Sequence, residues 1–241
     1  QLHFSPWLCL ICAILAVAIL AALIGLPVTR LKGLYLAVAT LAFSLFVEVL
    51  VNQGGALTGG GYGIHDIPPL TILGARVSAT SLYLLALGAL VLTIVVINNL
   101  LNSKFGREII ASRDHADAAA AAGIDPAATK LLVLVIAASF AAVAGWLHAF
   151  YYLNLNPVIL SPELTFIWFF MVLVGGLGSM TGVVLGSVLL TLAPEFLGFA
   201  AGQTVLVIGI LLIAVTLFAP RGLAGLVADW TKLAPFQQGD K

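Results

Sequence analysis

Residues 7–26 read WLCLICAILAVAILAALIGL, a run of twenty positions without a charged side chain. Twenty residues of α-helix measure about 30 Å, which is the thickness of the hydrocarbon core of a bilayer. A helix satisfies its backbone hydrogen bonds within one segment, as lipid surroundings require. The stretch therefore predicts a membrane-spanning helix.

Six further apolar segments follow this run. They cover residues 34–51, 81–101, 131–153, 164–180, 183–199 and 204–219. The fifth and sixth segments of the chain lie only two residues apart, and Gly175, Gly176 and Gly178 interrupt the fifth. These two segments form either two full spans or a re-entrant pair. The pattern predicts an all-α, polytopic transmembrane helical bundle of about seven segments, forming a single domain over residues 1–241.

The composition excludes several soluble classes of protein. Of the 241 residues, 62% are hydrophobic and 8% are charged, whereas soluble domains carry about 25% charged residues. Ten basic side chains are balanced by ten acidic ones, so the chain lacks the basic excess that nucleic-acid binding requires. A soluble enzyme and a nucleic-acid-binding protein are excluded, and the chain is expected to lie in a lipid bilayer.

The basic residues are divided unequally between the two sides of the predicted bundle. Arg76 lies alone on one side, and the other nine Lys and Arg residues lie on the opposite side. Cytoplasmic loops carry the excess of Lys and Arg in membrane proteins. Loop 102–130 and the C-terminus are therefore predicted to be cytoplasmic, and loop 52–80 external.

The sequence contains no cluster that predicts catalysis or metal binding. Cys9 and Cys12 form a C-x-x-C pair inside an apolar helix, and we interpret them as small buried hydrophobic residues. His148 is interpreted as forming a helix-packing hydrogen bond. No phosphate-binding G-x-x-x-x-G-K-[ST] loop occurs. We expect no catalytic residue, cofactor or metal, and any ATP hydrolysis would occur on another chain.

Two features near the external side are candidate pathway or outer-mouth residues. Glu48 lies about one turn from the outer end of the second segment, where it either faces the bundle interior or extends to the interface. Thr58, Gly59 and Gly60 begin a glycine-rich stretch that predicts a tight turn with positive φ. We expect this turn to shape the outer mouth or to contact a partner.

Small residues spaced four apart predict close helix packing in two places. Gly178, Gly182 and Gly186 form one set, and Ala141 with Gly145 forms the other. Such spacing lets helix backbones approach closely in a membrane. We expect both faces to pack within a tight bundle or against a second membrane subunit.

Residues 103–130 read SKFGREIIASRDHADAAAAAGIDPAATK and predict a short amphipathic helix. Small or apolar side chains recur at helical spacing. This stripe consists of Phe105, Ile109, Ser112, Ala116 and Ala119. Charged residues four positions apart, Lys104 with Glu108 and Arg113 with Asp117, can pair across its turns. The apolar face is expected to dock in a groove of a partner.

The end of this helix and the start of the next are marked by their residue types. Gly123 suits the position that follows a helix end, where φ is positive. Asp125 and Pro126 suit the N-cap and the first residue of a following helix. The loop is thus predicted to stop sharply and to lead directly into the fourth span.

In this loop the sequence resembles the membrane subunits of bacterial ABC importers, whose signature is an acidic residue, two alanines, three further residues and a glycine. Residues 117–123, DAAAAAG, have that spacing. More of the chain is similar to one branch, the M-type (LivM-type) permeases of branched-chain amino-acid importers. The similar stretches are 30–41, 57–60, 63–64, 103–107, 111–114, 174–179, 194–195 and 218–223.

The resemblance implies a heteromeric importer in the bacterial inner membrane, with further helices before Gln1. Its other subunits would be cytoplasmic ATPases, a second (H-type) permease and a periplasmic substrate-binding protein. Arg113 and Asp117 would hold the ATPase-coupling helix, while Ala118, Ala119 and Gly123 would permit close docking. A bulky residue at Ala119 or Gly123 should then uncouple ATP hydrolysis from uptake.

Three other functions remain open at this point. A permease for urea or short-chain amides belongs to the same branch and fits the same motifs. A secondary transporter would need ionisable residues at mid-membrane, for which the sequence offers Glu48 and Glu195. An intramembrane enzyme would need acidic or histidine clusters, which the sequence lacks.

Overall fold

The computed structural model describes residues 5–196, apart from positions 30, 32–33, 56–57 and 73–74, together with 209, 212–213, 215 and 222–225. The seventh predicted segment, 204–219, thus lies mostly outside the described residues. The chain divides into two compact units, Gln1–Ile159 and Leu160–Lys241. A single domain over residues 1–241 stays a prediction.

The first unit contains six helices and one small hairpin within its described residues. They are α1 (Pro6–Val28), α2 (Leu34–Gln53), β1 (Thr71–Ile72), β2 (Ala75–Arg76), α3 (Ala79–Asn102), α4 (Lys104–Asp114), α5 (Ala116–Ala121) and α6 (Pro126–Tyr152). The two strands pair antiparallel, with Thr71 opposite Arg76. Short 3-10 turns cover Gly60–Tyr62 and Pro157–Leu160.

Three of these helices are long and apolar enough to cross a membrane. The helices α1, α3 and α6 have 23, 24 and 27 residues, and at 1.5 Å per residue each exceeds the ~30 Å hydrocarbon core. In α2 the stretch Val38–Gln53 is a shorter apolar helix. The all-α, multi-pass membrane fold is confirmed, and the first four predicted segments match α1, α2, α3 and α6.

The helices α1 and α6 pack side by side in antiparallel directions. Trp146 Nε1 donates a 3.0 Å hydrogen bond to the backbone oxygen of Pro6, and the Trp146 ring lies 5.6 Å from that of Trp7. At the other end Gly25 is buried, and a Cβ there would lie 2.6 Å from Leu131 Cδ1. The hydrogen-bonded indole of Trp146 therefore holds α6 against α1 at one end, and close packing at Gly25 does so at the other.

Ala141 and Gly145 do not pack against another helix within the part of the chain that the structure describes, and their expected contact with a second membrane subunit stays a prediction. Both residues are exposed, and a Cβ at Gly145 would meet no heavy atom within 4 Å. Ala142 and Trp146 are buried instead. The contact face is rotated by one residue, about 100°, because Trp146 offers far more apolar area than a glycine.

Within the described residues, the second unit contains two short helices, α7 (Pro162–Gly175) and α8 (Met180–Phe196), joined by a turn, and a short helical segment at 222–225. The helices α7 and α8 have 14 and 17 residues, or about 21 and 26 Å, which is less than the ~30 Å hydrocarbon core. Val174 and Leu190 form their core, at 0% and 2% exposed. These lengths fit the predicted fifth and sixth segments and leave both a full crossing and a re-entrant pair open.

Glycines bring α7 and α8 into backbone contact. A Cβ at Gly182 would overlap the backbone of Gly175, and one at Gly186 would overlap that of Met171. The predicted close packing of Gly182 and Gly186 is thus confirmed, with α7 as the neighbour. Gly178 differs, since it lies in the turn with φ +85°, a conformation that favours glycine.

Candidate functional site

Loop 103–125 contains two helices, not the single helix that its pattern predicts. The helix α4 ends at Asp114 and α5 begins at Ala116. His115 between them has φ −143° and ψ 79°, outside the helical region. Asp and His form helices less readily than the alanines that follow, so the break falls where helix propensity is low. The prediction of one continuous helix is wrong.

The predicted apolar stripe packs against the chain itself. Of its five members, Ser112 and Ala119 are 3% and 4% exposed, and the others are half-buried. The helix α4 contacts α3 and α6, and α5 contacts α4 and α6. Among the described residues, the buried Ser112 hydroxyl has no hydrogen-bond partner. The expectation that this face docks in a partner is therefore wrong.

The charged residues of the loop pair differently from the predicted i, i+4 pattern. Arg113 Nε lies 2.8 Å from Asp114 Oδ1. Among the described ion pairs, neither Arg113–Asp117 nor Lys104–Glu108 occurs. The break at His115 removes the helical geometry that would bring positions 113 and 117 together. Asp117 lies in the first turn of α5, where a carboxylate interacts favourably with the helix dipole.

The helix α5 ends in a hydrogen-bonded turn that requires glycine. Gly123 has φ +86°. Its N–H donates to the Ala120 carbonyl at 3.0 Å, and the Ile124 N–H donates to the Ala119 carbonyl at 3.0 Å. These two bonds form a Schellman motif, which satisfies free carbonyls at the helix end. The predicted position of Gly123 is confirmed.

Asp125 is the N-cap of α6, as predicted. Its Oδ1 accepts hydrogen bonds from the N–H groups of Ala127 at 2.9 Å and Ala128 at 3.2 Å. Pro126 is the first helical residue, and the Thr129 hydroxyl donates to the Asp125 carbonyl at 2.8 Å. Since the turn at Gly123 and the cap at Asp125 are adjacent, together they fix the angle between α5 and α6.

Asp125→Ala removes this cap. We expect a loss of about 1 kcal/mol, or about 2–4 °C in Tm, because two helix N–H groups lose their acceptor. Thermal unfolding of the detergent-solubilised protein, followed by circular dichroism, measures the change. Asp125→Asn keeps an acceptor and should retain most of the stability. Asp114→Ala removes an exposed carboxylate that caps no helix, and an equal loss there would contradict the assignment.

The corner between α3 and α4 involves Ser103 and Gly106, neither of which was among the predicted site residues. Ser103 Oγ accepts from the Gly106 N–H at 3.2 Å and donates to the Leu100 carbonyl at 2.6 Å. Gly106 is buried, and a Cβ there would overlap the backbone of Leu101. This corner sets the direction in which α4 leaves α3. A serine three positions before a glycine, just after a span, is the signal that could have predicted it.

The opposite side of the loop is open to solvent. Arg113, Asp117, Ala118 and Gly123 are exposed, and we refer to these four residues as the open face. Of the five predicted coupling residues, only Ala119 is buried. The structure therefore separates the five into four accessible residues and one packing residue.

A shallow cavity of about 300 Å³ adjoins the open face at Gly123. Phe105 and Leu132 line its apolar part, and Glu108 and Asp125 contribute carboxylates. The cavity lies where the first turn of α4 meets the first turns of α6. The cavity adds a depression with an acidic edge to the accessible surface of the loop.

The predicted outer turn caps the end of α2. Thr58 Oγ1 donates to the Val51 carbonyl at 2.6 Å and accepts from the Gly60 N–H at 3.3 Å. Gly59 and Gly60 have φ +76° and +58°, and a Cβ at Gly59 would overlap the backbone of Gly63. The predicted tight turn with positive φ is confirmed. The positive φ angles explain why positions 59 and 60 are both glycine.

The same loop is hydrogen-bonded to the segment that follows α6. Ile64 and Leu155 exchange two backbone hydrogen bonds of 2.9 and 2.8 Å, and the Ile67 N–H donates to the Leu153 carbonyl at 3.2 Å. Tyr62, in the preceding turn, is 85% exposed. The paired residues lie 91 positions apart, so no local pattern predicts this connection.

Four further candidate residues lie on the apolar helices α1, α2 and α6. Glu48 is half-buried on α2. Cys9 and Cys12 are free and exposed on α1, so the prediction that they are buried is wrong; their helix face is apolar because lipid, not protein, would cover it. His148 Nδ1 is buried without a hydrogen-bond partner, and its ring lies 4.5 Å from that of Tyr152. His148 packs against Tyr152, and within the described residues its Nδ1 does not form the predicted hydrogen bond.

Comparison with known proteins identifies the family. A family described as branched-chain amino acid transport system / permease component matches residues 1–216. The chain belongs to this family. No solved structure matches the chain.

The curated relatives of this permease family include two bacterial and one archaeal protein. The high-affinity branched-chain amino acid transport system permease protein LivM of Escherichia coli K12 is 33% identical over 252 residues, covering 94% of this chain and 59% of LivM. The protein of the same name from Salmonella typhimurium LT2 has the same identity and coverage. A probable branched-chain amino acid transport permease protein LivM from Methanocaldococcus jannaschii is 28% identical, covering 89% of this chain and 68% of that protein. The chain thus spans 59% of the length of the two bacterial relatives.

Proposed function

We propose that the chain belongs to the membrane permease subunit of a bacterial ABC importer for leucine, isoleucine and valine. The observation that carries the proposal is the similarity to LivM over 94% of the chain. Separate cytoplasmic ATPases would hydrolyse ATP, and a periplasmic binding protein would deliver the substrate. A second, H-type permease would complete the pathway. The chain would lie in the inner membrane with its C-terminus in the cytoplasm.

The open face of loop 103–125 is the proposed contact with the ATPase. The acidic-alanine-glycine spacing of residues 117–123 and the exposure of Arg113, Asp117, Ala118 and Gly123 support it. Ala119 would hold α5 in place from the buried side. Closure of the ATPases would move α5, and the corner at Gly106 and the turn at Gly123 would carry that movement to α3 and α6.

Glu48, Thr58, Gly59 and Gly60 are proposed to act at the outer side of the pathway. A half-buried carboxylate within an apolar segment is a candidate for contact with water or substrate. Thr58 and the two glycines would act indirectly, because they fix the loop that exposes Tyr62 to an external partner.

Transport by the reconstituted importer tests the proposal. We expect proteoliposomes that contain the complete permease pair and the ATPases to take up radiolabelled leucine when ATP and the binding protein are supplied. Unlabelled isoleucine and valine should compete. The matched control carries an ATPase subunit without its phosphate-binding lysine, and it should show no uptake.

Other outcomes would contradict the proposal. Competition by urea or short-chain amides, with none by isoleucine or valine, would assign the chain to the other substrate class. Uptake driven by an ion gradient without ATP would indicate a secondary transporter.

A further inference from the structure

We propose that the turn between α7 and α8, residues 176–179, lies at the cytoplasmic surface of the membrane and is held there by residues 222–225. The α7–α8 hairpin then crosses the bilayer and is not re-entrant. The inference rests on the orientation given in the proposed function, in which the residues after the seventh segment are cytoplasmic.

The turn is in backbone contact with the helical segment 222–225. Gly222 has φ +72°, and a Cβ there would overlap the backbones of Gly175 and Gly176. A Cβ at Gly182 would lie 2.8 Å from the Ala224 Cβ. Leu223 also packs against the core of the hairpin. The contact is too close for lipid to lie between the two segments, so both lie at the same depth.

The position of Gly222 in the sequence indicates that depth. It follows residue 204, where the seventh predicted segment begins, by 18 positions. Eighteen residues of the predicted helix would measure about 27 Å, close to the ~30 Å hydrocarbon core. Arg221 directly precedes it, and basic residues collect at the cytoplasmic ends of spans. Gly222, and the turn with it, therefore lie near the cytoplasmic surface.

The polar groups of the turn also favour a surface position. Within the described residues, the backbone N–H groups of Leu177 and Gly178 have no acceptor. Leu177 is 76% exposed. Unsatisfied backbone groups that face hydrocarbon are strongly disfavoured, whereas water satisfies them at the surface. A turn in the middle of the bilayer would leave these two donors unpaired.

The short helices remain compatible with a full crossing. The 14 residues of α7 fall short of the hydrocarbon core by about 9 Å. Thinning of the bilayer or cover from neighbouring helices accommodates such a mismatch.

Labelling of single cysteines with a membrane-impermeant maleimide tests the inference. The experiment uses the complete importer in sided membrane vesicles, with Cys9 and Cys12, the two native cysteines, replaced by serine. Leu177→Cys is the test position. Glu108→Cys is the cytoplasmic reference, Tyr62→Cys the external reference and Val188→Cys, on the exposed side of α8, the reference inside the bilayer.

We expect Leu177→Cys to react in inside-out vesicles at a rate similar to that of Glu108→Cys, and to be unreactive in right-side-out vesicles. If Leu177→Cys is unreactive from both sides, like Val188→Cys, the hairpin is re-entrant and the inference is wrong. Reaction from the external side only would also overturn it. The labelling requires no transport, and reaction of Glu108→Cys from the external side would instead contradict the orientation in the proposed function.

Discussion

Ala118→Trp should uncouple ATP hydrolysis from uptake in a permease that still folds, whereas Ala119→Trp should destabilise the packing of the loop and increase misfolding. Ala118 is exposed on the open face, and an indole in the middle of a protein contact costs at least about 1.4 kcal/mol, a factor of ten in affinity. Ala119 is 4% exposed, and overpacking a closed site costs about 1–3 kcal/mol or more. Substitutions at these adjacent alanines should thus give different phenotypes: uncoupling at Ala118 and a folding defect at Ala119.

Two measurements separate these phenotypes. The fraction of permease that elutes as a single species in detergent reports folding, and ATPase binding with leucine uptake reports coupling. Ala79→Trp, at the exposed first residue of α3, is the matched control and should be normal in both. Transport at the wild-type rate by Ala118→Trp would contradict the assigned contact. Equal misfolding of both variants would contradict the separation of the two faces.

Gly182→Ala should strongly destabilise the α7–α8 hairpin. The added Cβ would overlap the Gly175 backbone, which cannot rotate away as a side chain could. The helices would have to separate and lose part of the packing around Val174 and Leu190. We expect a loss of about 2–3 kcal/mol, or roughly 5–10 °C in apparent Tm.

Gly145→Ala is the matched control for this substitution. Gly145 also lies inside an apolar helix, but a Cβ there would meet no atom of the described residues within 4 Å. Replacing an unconstrained helical glycine by alanine stabilises by about 0.5–1 kcal/mol. The two variants should therefore move the Tm in opposite directions. Equal shifts in a thermal scan of the solubilised protein would show that the backbone contact does not limit stability.

Features with a local physical cause could be predicted from the sequence. Apolar runs of bilayer length correctly indicate α1, α3 and α6, since only a helix can bury such a run in lipid. Gly123 and Asp125 were predictable because a positive φ and an N-cap each select few residue types. The tight turn at Gly59 follows from the same reasoning.

Features that depend on tertiary contacts could not be predicted. The stripe that includes Ser112 and Ala119 indicates a buried face, but periodicity does not reveal what covers it. The low helix propensity of Asp114 and His115 marks a weak point, but propensity alone does not show that the helix breaks there or that the break changes the ion pairs of Arg113. The hydrogen bonds between Ile64 and Leu155 link distant loops, for which spacing in the sequence carries no signal.

Cross-linking between loop 103–125 and the ATPase tests the central claim most directly. Single cysteines at Ala118 and Ala119 in the assembled importer, with native Cys9 and Cys12 replaced by serine, would be treated with a short bifunctional maleimide. We predict that Ala118→Cys forms a covalent product with the ATPase subunit and that the buried Ala119→Cys does not. A product from Ala119→Cys alone, or none from any residue of the open face, would contradict the account.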